Sequence, residues 1–99
     1  MMTIEKNRQG TSLTVMLDGR LDTVSAPDFE TIVKNELDGV ETLVLEFEKL
    51  QYTSSAGLRV ILLAQKTMNK QGKMIIKDVT ESVMEVFELT GLADLLTIE

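Results

Sequence analysis

The first third of the chain carries the hydrophobic alternation of β-structure. Between residues 12 and 17 every second residue is apolar, which is the period of a strand with one buried face. The Gln9-Gly10 turn connects this strand to an earlier one at residues 3–7, so the two are predicted to form an antiparallel hairpin. Met16 lies on the other side of the second strand, which predicts that both of its faces are covered. Asp18-Gly19 is expected to end that strand.

The rest of the chain alternates between helical and extended patterns. Two short apolar runs, at residues 43–47 and 73–77, predict further strands. Apolar residues spaced three or four apart predict three helices, each bounded by capping residues, proline or glycine. The first runs from Ser25 and Pro27 to Asp38-Gly39, and the second from Ser54 to Gln71-Gly72. The third begins at Thr80 or Asp78 and ends at Thr90-Gly91. The strand, helix, strand order predicts parallel pairs with right-handed crossovers. The tail at residues 95–98 fits either a short helix or an edge strand.

Length and composition fit one domain that spans residues 1–99. The chain has no Cys, which excludes disulfides and thiolate metal ligands. The N-terminal residues lack the pattern of a signal peptide, and no apolar run approaches the roughly 20 residues of a membrane span, so we expect a cytoplasmic protein without a membrane partner. The net charge is −6 and the Lys and Arg residues are scattered. A basic protein surface therefore fits this chain better as a partner than nucleic acid does.

Three consecutive hydroxyl residues, Thr53, Ser54 and Ser55, stand where an extended segment turns into the second helix. Ser54 is the expected N-cap, which places Ser55 in the first turn. At about 100° per residue, Ser55 shares a polar sector of this helix with Arg59, Lys66 and Lys70. The free amides, the helix dipole and Arg59 would favour a phosphate on Ser55, although serines in such places are more often simple caps.

Gly57 lies within the first turn of this helix, where glycine costs about 1 kcal/mol relative to alanine. It therefore indicates that some other group approaches the backbone closely, either a neighbouring strand or a binding partner. In the earlier loop at residues 20–23, Asp22 has two possible roles. It could accept hydrogen bonds that stabilise the loop, which we favour, or it could contact a partner.

Three segments resemble one protein family. The run from Tyr52 to Val60 is similar to the phosphorylation loop of the STAS domain of bacterial anti-sigma factor antagonists. The segment from Leu17 to Pro27 resembles the Gly-x-Leu-Asp stretch before that family's first helix, and the segment from Phe87 to Leu92 resembles its hydrophobic-x-x-(Ser/Thr)-Gly-Leu motif. Order and spacing agree over nearly the whole chain. This chain has Ser54 and Ala56 where many members have Asp and a second Ser.

The resemblance implies an α/β, STAS-type single domain. Its mixed β-sheet would hold the N-terminal antiparallel hairpin and parallel βαβ crossovers, with helices packed mainly on one face. It also implies that Ser55 is phosphorylated, with Ser54 as the alternative acceptor. The loop at residues 20–23 would lie near the phosphorylation loop, and a partner-binding surface would draw on eight residues: Asp22, Thr23, Thr53, Ser54, Ser55, Gly57, Arg59 and Leu62.

The sequence argues against catalysis by the domain itself. It has no His to serve as a base beside a serine nucleophile, no Gly-rich phosphate loop and no dense carboxylate loop of the calcium type. We therefore expect no catalytic residues, no cofactor and no metal.

The resemblance implies instead a monomeric binding module whose partner is an anti-sigma factor that is also a serine kinase, with a serine phosphatase to reset it. Two alternatives stay open. One is a STAS module of a lipid-transport or signalling complex in which the serine is only a cap. The other, weaker one is a nucleotide-binding domain that uses the loop amides.

Overall fold

The computed structural model of the chain describes residues 2–99, and this part of the chain forms one sheet with helices against it. The elements follow in the order β1 (Met2–Gln9), β2 (Ser12–Leu21), α1 (Ala26–Asn35), β3 (Thr42–Glu46), β4 (Leu50–Thr53), α2 (Ser55–Gln71), β5 (Lys73–Lys77) and α3 (Glu81–Leu89), with a short 3₁₀ turn at Leu92–Asp94. Of the helices in this described part, none combines the length and the hydrophobicity needed to cross a bilayer.

The sheet is mixed, as predicted. Its main strand order is β1-β2-β3-β5. The β1 and β2 strands form the antiparallel hairpin, whereas β2 with β3 and β3 with β5 are parallel pairs. The additional strand β4 runs parallel to the far end of β2, beyond the point where β3 leaves it.

The second strand is longer than the sequence pattern indicated. Asp18-Gly19 does not end β2, which continues to Leu21. Gly19 instead lies beside an irregularity in the β2–β4 register, with a left-handed φ of 114°, and its amide donates to the Lys49 carbonyl at 3.0 Å. A bulge of this kind lets a strand change direction without losing its pairing. It allows β2 to pair first with β3 and then with β4.

The core lies on one face of the sheet. The inward residues of β2 and β3 are buried, and they pack with the apolar sides of the helices, among which Phe29, Ile61 and Phe87 are fully buried. The opposite face of the sheet stays open. The prediction that β2 is covered on both sides is wrong, because Met16 is 40% exposed on that open face.

The helix ends match the predicted signals in most places. α2 ends before Gly72, and Gly91 after α3 has the left-handed φ of 78° that a glycine C-cap requires. Thr80 rather than Asp78 is the N-cap of α3. α1 is shorter than expected, since it ends at Asn35 and the chain turns before Gly39.

The tail combines the two alternatives that the sequence left open. After the 3₁₀ turn, the last residues lie along the outer edge of β5. The amide of Ile76 donates to the carbonyl of Thr97 at 2.9 Å, and the amide of Glu99 donates to the carbonyl of Ile76 at 2.8 Å. This single parallel bridge covers part of an otherwise open strand edge.

Candidate functional site

Two loops meet at the carboxyl ends of β2 and β4. Leu21 pairs with Thr53 in the parallel register, and the amide of Ser54 donates to the carbonyl of Leu21 at 2.9 Å. Because both strands end at the same edge of the sheet, the loop that follows β2 and the start of α2 lie side by side. The structure therefore brings together the two segments that the sequence singled out separately.

Ser55 is exposed at the first position of α2. Ser54 is the N-cap, as predicted, with an extended backbone and a hydroxyl that accepts from the amide of Gly57 at 3.5 Å. The first turn contains no acidic residue, so no side chain there offsets the positive end of the helix dipole. The Ser55 hydroxyl is thus accessible from solvent at an electropositive helix end.

Gly57 is buried, and its close neighbours belong to the protein itself. A Cβ at this position would lie against Thr53 Oγ1 and only 2.6 Å from Cγ of Leu21. Real Cβ contacts are not that short, so only glycine lets the first turn of α2 lie this close to β2 and β4. Of the two explanations that the sequence left open, a neighbouring strand is sufficient.

Thr53 lies beneath the loop rather than on it. Its side chain is 3% exposed, and its hydroxyl donates to the carbonyl of Ser54 at 3.3 Å. Thr53 and Gly57 were both assigned to the partner-binding surface by resemblance. Their burial leaves them the role of shaping the loop that presents Ser55.

Arg59 is 61% exposed, and its guanidinium pairs with a carboxylate of α1. Its Nη2 lies 2.8 Å from Oε1 of Glu30, its Nη1 lies 3.3 Å from Oε2, and Lys34 also pairs with Glu30 at 3.0 Å. The hydrogen bonds from Arg59 and then Lys34 lower the pKa of Glu30 to about 2, and the same contact raises the pKa of Arg59. A phosphate on Ser55 would therefore compete with Glu30 for this guanidinium.

Asp22 accepts hydrogen bonds within its own loop, which is the first of the two roles considered for it. Its Oδ1 accepts from the amides of Val24 and Ser25, each at 3.0 Å, and from the Ser25 hydroxyl at 3.1 Å. These bonds, with the Ser25 amide first, lower the pKa of Asp22. Ser25 occupies the N-cap position of α1, but its hydroxyl makes no capping bond, and its single proton is shared between Asp22 Oδ1 and the carbonyl of Arg20, which lies at 2.7 Å.

The tip of this loop is open to solvent. Thr23 is exposed, and Val24 is 86% exposed, which is unusual for a β-branched apolar residue. Sequence reasoning missed Val24, because its exposure depends on how Asp22 folds the loop. Further along α2, Leu62 is half-buried and lies on the same side of the helix as Ser55 and Arg59.

Comparison with known proteins agrees with this arrangement. The family model of the STAS domain matches residues 3–99. The chain belongs to the STAS domain family. The anti-sigma-B factor antagonist of Staphylococcus aureus is 29% identical to this STAS domain over 97 residues, which are 96% of this chain and 90% of that protein.

Solved structures share the fold of this STAS domain. An anti-sigma factor antagonist from Mycobacterium paratuberculosis aligns with a TM-score of 0.88 and 19% identity, over 99% of this chain and 85% of that one. The Bacillus cell fate determinant SpoIIAA in its phosphorylated form aligns with a TM-score of 0.76 and 19% identity, over 100% and 91% of the two chains. SpoIIAA has also been solved in its unphosphorylated form, which aligns with a TM-score of 0.71.

One carboxylate cluster of this STAS domain could hold a metal ion. Within residues 2–99, oxygens of Glu46, Glu48 and Asp78 lie within 4.8 Å of one another at the far ends of β3 and β5. Burial, and then a hydrogen bond with Asp78, raises the pKa of Glu46. Glu48 and Asp78 are exposed, and neighbouring exposed carboxylates are common in proteins that hold no ion there.

Proposed function

We propose that this STAS domain is an anti-sigma factor antagonist. In the proposal its unphosphorylated form binds an anti-sigma factor that is also a serine kinase, which frees a sigma factor. Phosphorylation of Ser55 ends the binding, and a serine phosphatase restores it. The proposal implies a monomeric protein in the cytoplasm, where sigma factors act on RNA polymerase.

The exposure of Ser55 at the start of α2 is the observation that carries this proposal. A kinase can reach this hydroxyl, whereas Thr53 is buried and Ser54 is half-buried and serves as the cap. The fold shared with SpoIIAA, which has been solved in both phosphorylation states, supports a phosphorylation switch in this fold. The Staphylococcus aureus relative is an anti-sigma-B factor antagonist, which supports an anti-sigma factor as the partner.

The proposed contact surface consists of residues from the two adjacent loops and from one side of α2. Asp22 and Thr23 contribute from the first loop, and we add the exposed Val24 as an apolar contact. The remaining members are Ser54, Ser55, Arg59 and Leu62. Thr53 and Gly57 support this surface from below without touching the partner.

Charge is the physical basis of the switch. Phosphorylation adds about −1.5 to −2 charges at neutral pH to a hydroxyl that is neutral in the proposed complex. Arg59 is already held by the carboxylate of Glu30, so it offers the phosphate little compensation. The new charge must then be desolvated in the interface without a dedicated partner, and the complex weakens. The fold itself changes little, because Ser55 makes no packing contact in the core.

Intact-mass spectrometry after incubation with a candidate anti-sigma kinase and ATP tests this assignment. The wild type is expected to gain one phosphoryl group, and Ser55→Ala is expected to gain none. Ser54→Ala is the matched control, since it removes the neighbouring hydroxyl and should still be labelled. Labelling of Ser55→Ala together with loss of labelling in Ser54→Ala would transfer the assignment to Ser54.

A further inference from the structure

The net charge of the protein is concentrated at one end of the chain. Six of its sixteen acidic residues lie between residues 78 and 99, a segment with no Lys or Arg. The other ten acidic residues match the ten basic ones in number, so the rest of the protein is neutral overall. Residues 78–99, which contain α3 and the tail, therefore account for the whole net charge of −6.

Packing fixes which side of α3 faces outward. Val83 and Phe87 are fully buried. At the start of the helix, the hydroxyl of Thr80 donates to the carbonyl of Leu50 at 2.9 Å, and the hydroxyl of Ser82 donates to the carbonyl of Gln51 at 3.0 Å. These two bonds attach the start of α3 to β4. Rotation of α3 about its axis would break both hydrogen bonds, so its outer side stays exposed to solvent.

The outer side of α3 is both acidic and apolar. We call it the acidic leucine face and define it by Glu81, Glu85, Glu88 and Leu89, all of which are exposed. Leu89 is 80% exposed and follows Glu85 by four residues, so the two side chains lie one above the other on the helix. Leu95, after the 3₁₀ turn that packs against α3, is also 63% exposed.

The carboxylates of this face have no cationic partner within the described residues. The three ion pairs found among residues 2–99 use only Glu30 and Glu36 as acids. The charges of the acidic leucine face are therefore balanced by solvent ions alone. A cationic partner could replace those ions and cover Leu89 at the same time.

We propose that the acidic leucine face is a second docking surface, which binds an amphipathic protein segment rich in Lys and Arg. Its negative charge repels anionic lipid surfaces and nucleic acids. The exposed side chain of Leu89 offers an apolar contact for the apolar side of an amphipathic helix. The face belongs to α3 and not to the start of α2. Binding there is therefore independent of the modification of Ser55 and goes beyond the proposed function.

An NMR titration of the ¹⁵N-labelled full chain tests this proposal. The probe is a synthetic helical peptide with Lys on one side and Leu on the other, and a peptide of the same composition in scrambled order is the reference. The proposal predicts amide shift changes confined to residues 81–95 with the amphipathic peptide and much weaker binding of the scrambled one. Equal binding of the two peptides, shift changes elsewhere, or no binding would each overturn it.

Matched variants separate specific docking from general charge attraction. Glu85→Gln with Glu88→Gln is expected to weaken peptide binding about tenfold. Glu5→Gln with Glu41→Gln removes the same charge from other exposed positions and should change binding less than twofold, so an equal loss in both would refute a localised face. Leu89→Ser, at a solvent-exposed position, should keep the native amide spectrum and still lose affinity; unchanged affinity would contradict the apolar contact.

Two further outcomes bear on the identity of the occupant. Ser55→Asp should bind the peptide as the wild type does, which separates this proposal from the phosphorylation switch. Loss of peptide binding in that variant would show that the two surfaces are not independent and would overturn the proposal. Concentration-dependent self-association that the Glu85→Gln, Glu88→Gln variant abolishes would make a second copy the occupant and would also overturn it.

Discussion

Replacement of Gly57 by alanine tests whether the start of α2 is shaped by the protein's own strands. The new methyl group would lie against Thr53 Oγ1, 2.6 Å from Cγ and 2.9 Å from Cδ2 of Leu21. Overpacking of this kind costs about 1–3 kcal/mol. Alanine recovers at most about 1 kcal/mol through its higher helix propensity. Because the contacts with Leu21 are shorter than real Cβ contacts, the cost of overpacking lies in the upper part of its range, at about 2–3 kcal/mol. We therefore expect Gly57→Ala to lower the free energy of unfolding by about 1–2 kcal/mol.

Urea unfolding of Gly57→Ala, followed by circular dichroism, measures this loss directly. In a domain of about 100 residues, each kcal/mol of lost stability also lowers the melting temperature by about 4–8 °C. Ser55→Ala is the control, since it adds the same residue type to the same helical turn without entering a packed site. In a Thr53→Ala background, which removes the nearest atom, the cost of Gly57→Ala should shrink.

If Gly57→Ala left the stability unchanged or raised it, the strands would not be what requires glycine. Loss of partner binding in such a stable variant would then assign Gly57 to the partner interface, as the resemblance first implied.

Two further predictions concern contacts that connect α1, α2 and the loop between α1 and β3. Glu30, whose pKa is lowered from 4.5 to about 2, stabilises the fold above pH 4.5 and loses this contribution as the pH falls toward 2. Glu30→Gln should therefore lose less stability than the wild type between pH 7 and pH 3 in urea unfolding, and an identical pH dependence would contradict the ion pair. Gln71 donates to the carbonyls of Leu37 at 2.6 Å and Val40 at 2.7 Å. Gln71→Ala should cost about 1–3 kcal/mol of stability, while the exposed neighbour Lys70→Ala should cost little; equal losses would count against the two bonds.

Local periodicity predicted much of this fold because one side of the sheet carries the core. Every second residue from Leu13 to Leu17 is buried, and the helical spacing from Ser54 onward matches the buried side of α2. The segment before Ser54 was expected to be extended, but β4 was not predicted as a separate strand, because it lacks this alternation. Its buried residues, Leu50 and Thr53, are separated by two exposed ones, so it shows no strand period.

The site was predictable where it depends on neighbours in sequence and unpredictable where it depends on packing. Ser54 as the cap and Asp22 as the acceptor of its loop follow from local hydrogen-bonding chemistry. The pairing of Arg59 with Glu30 joins residues 29 positions apart on two helices, and no local signal indicates it. The sequence placed Arg59 in the same polar sector of α2 as Ser55, but it did not indicate the carboxylate on α1 with which Arg59 pairs.

Calorimetric titration of the anti-sigma factor with the unphosphorylated protein and with the Ser55-phosphorylated protein tests the central claim most directly. We predict that phosphorylation weakens binding at least about tenfold, that Ser55→Asp weakens it in the same direction, and that both proteins keep the melting temperature of the wild type within a few degrees. Equal affinity of the phosphorylated and unphosphorylated forms would contradict a switch at Ser55.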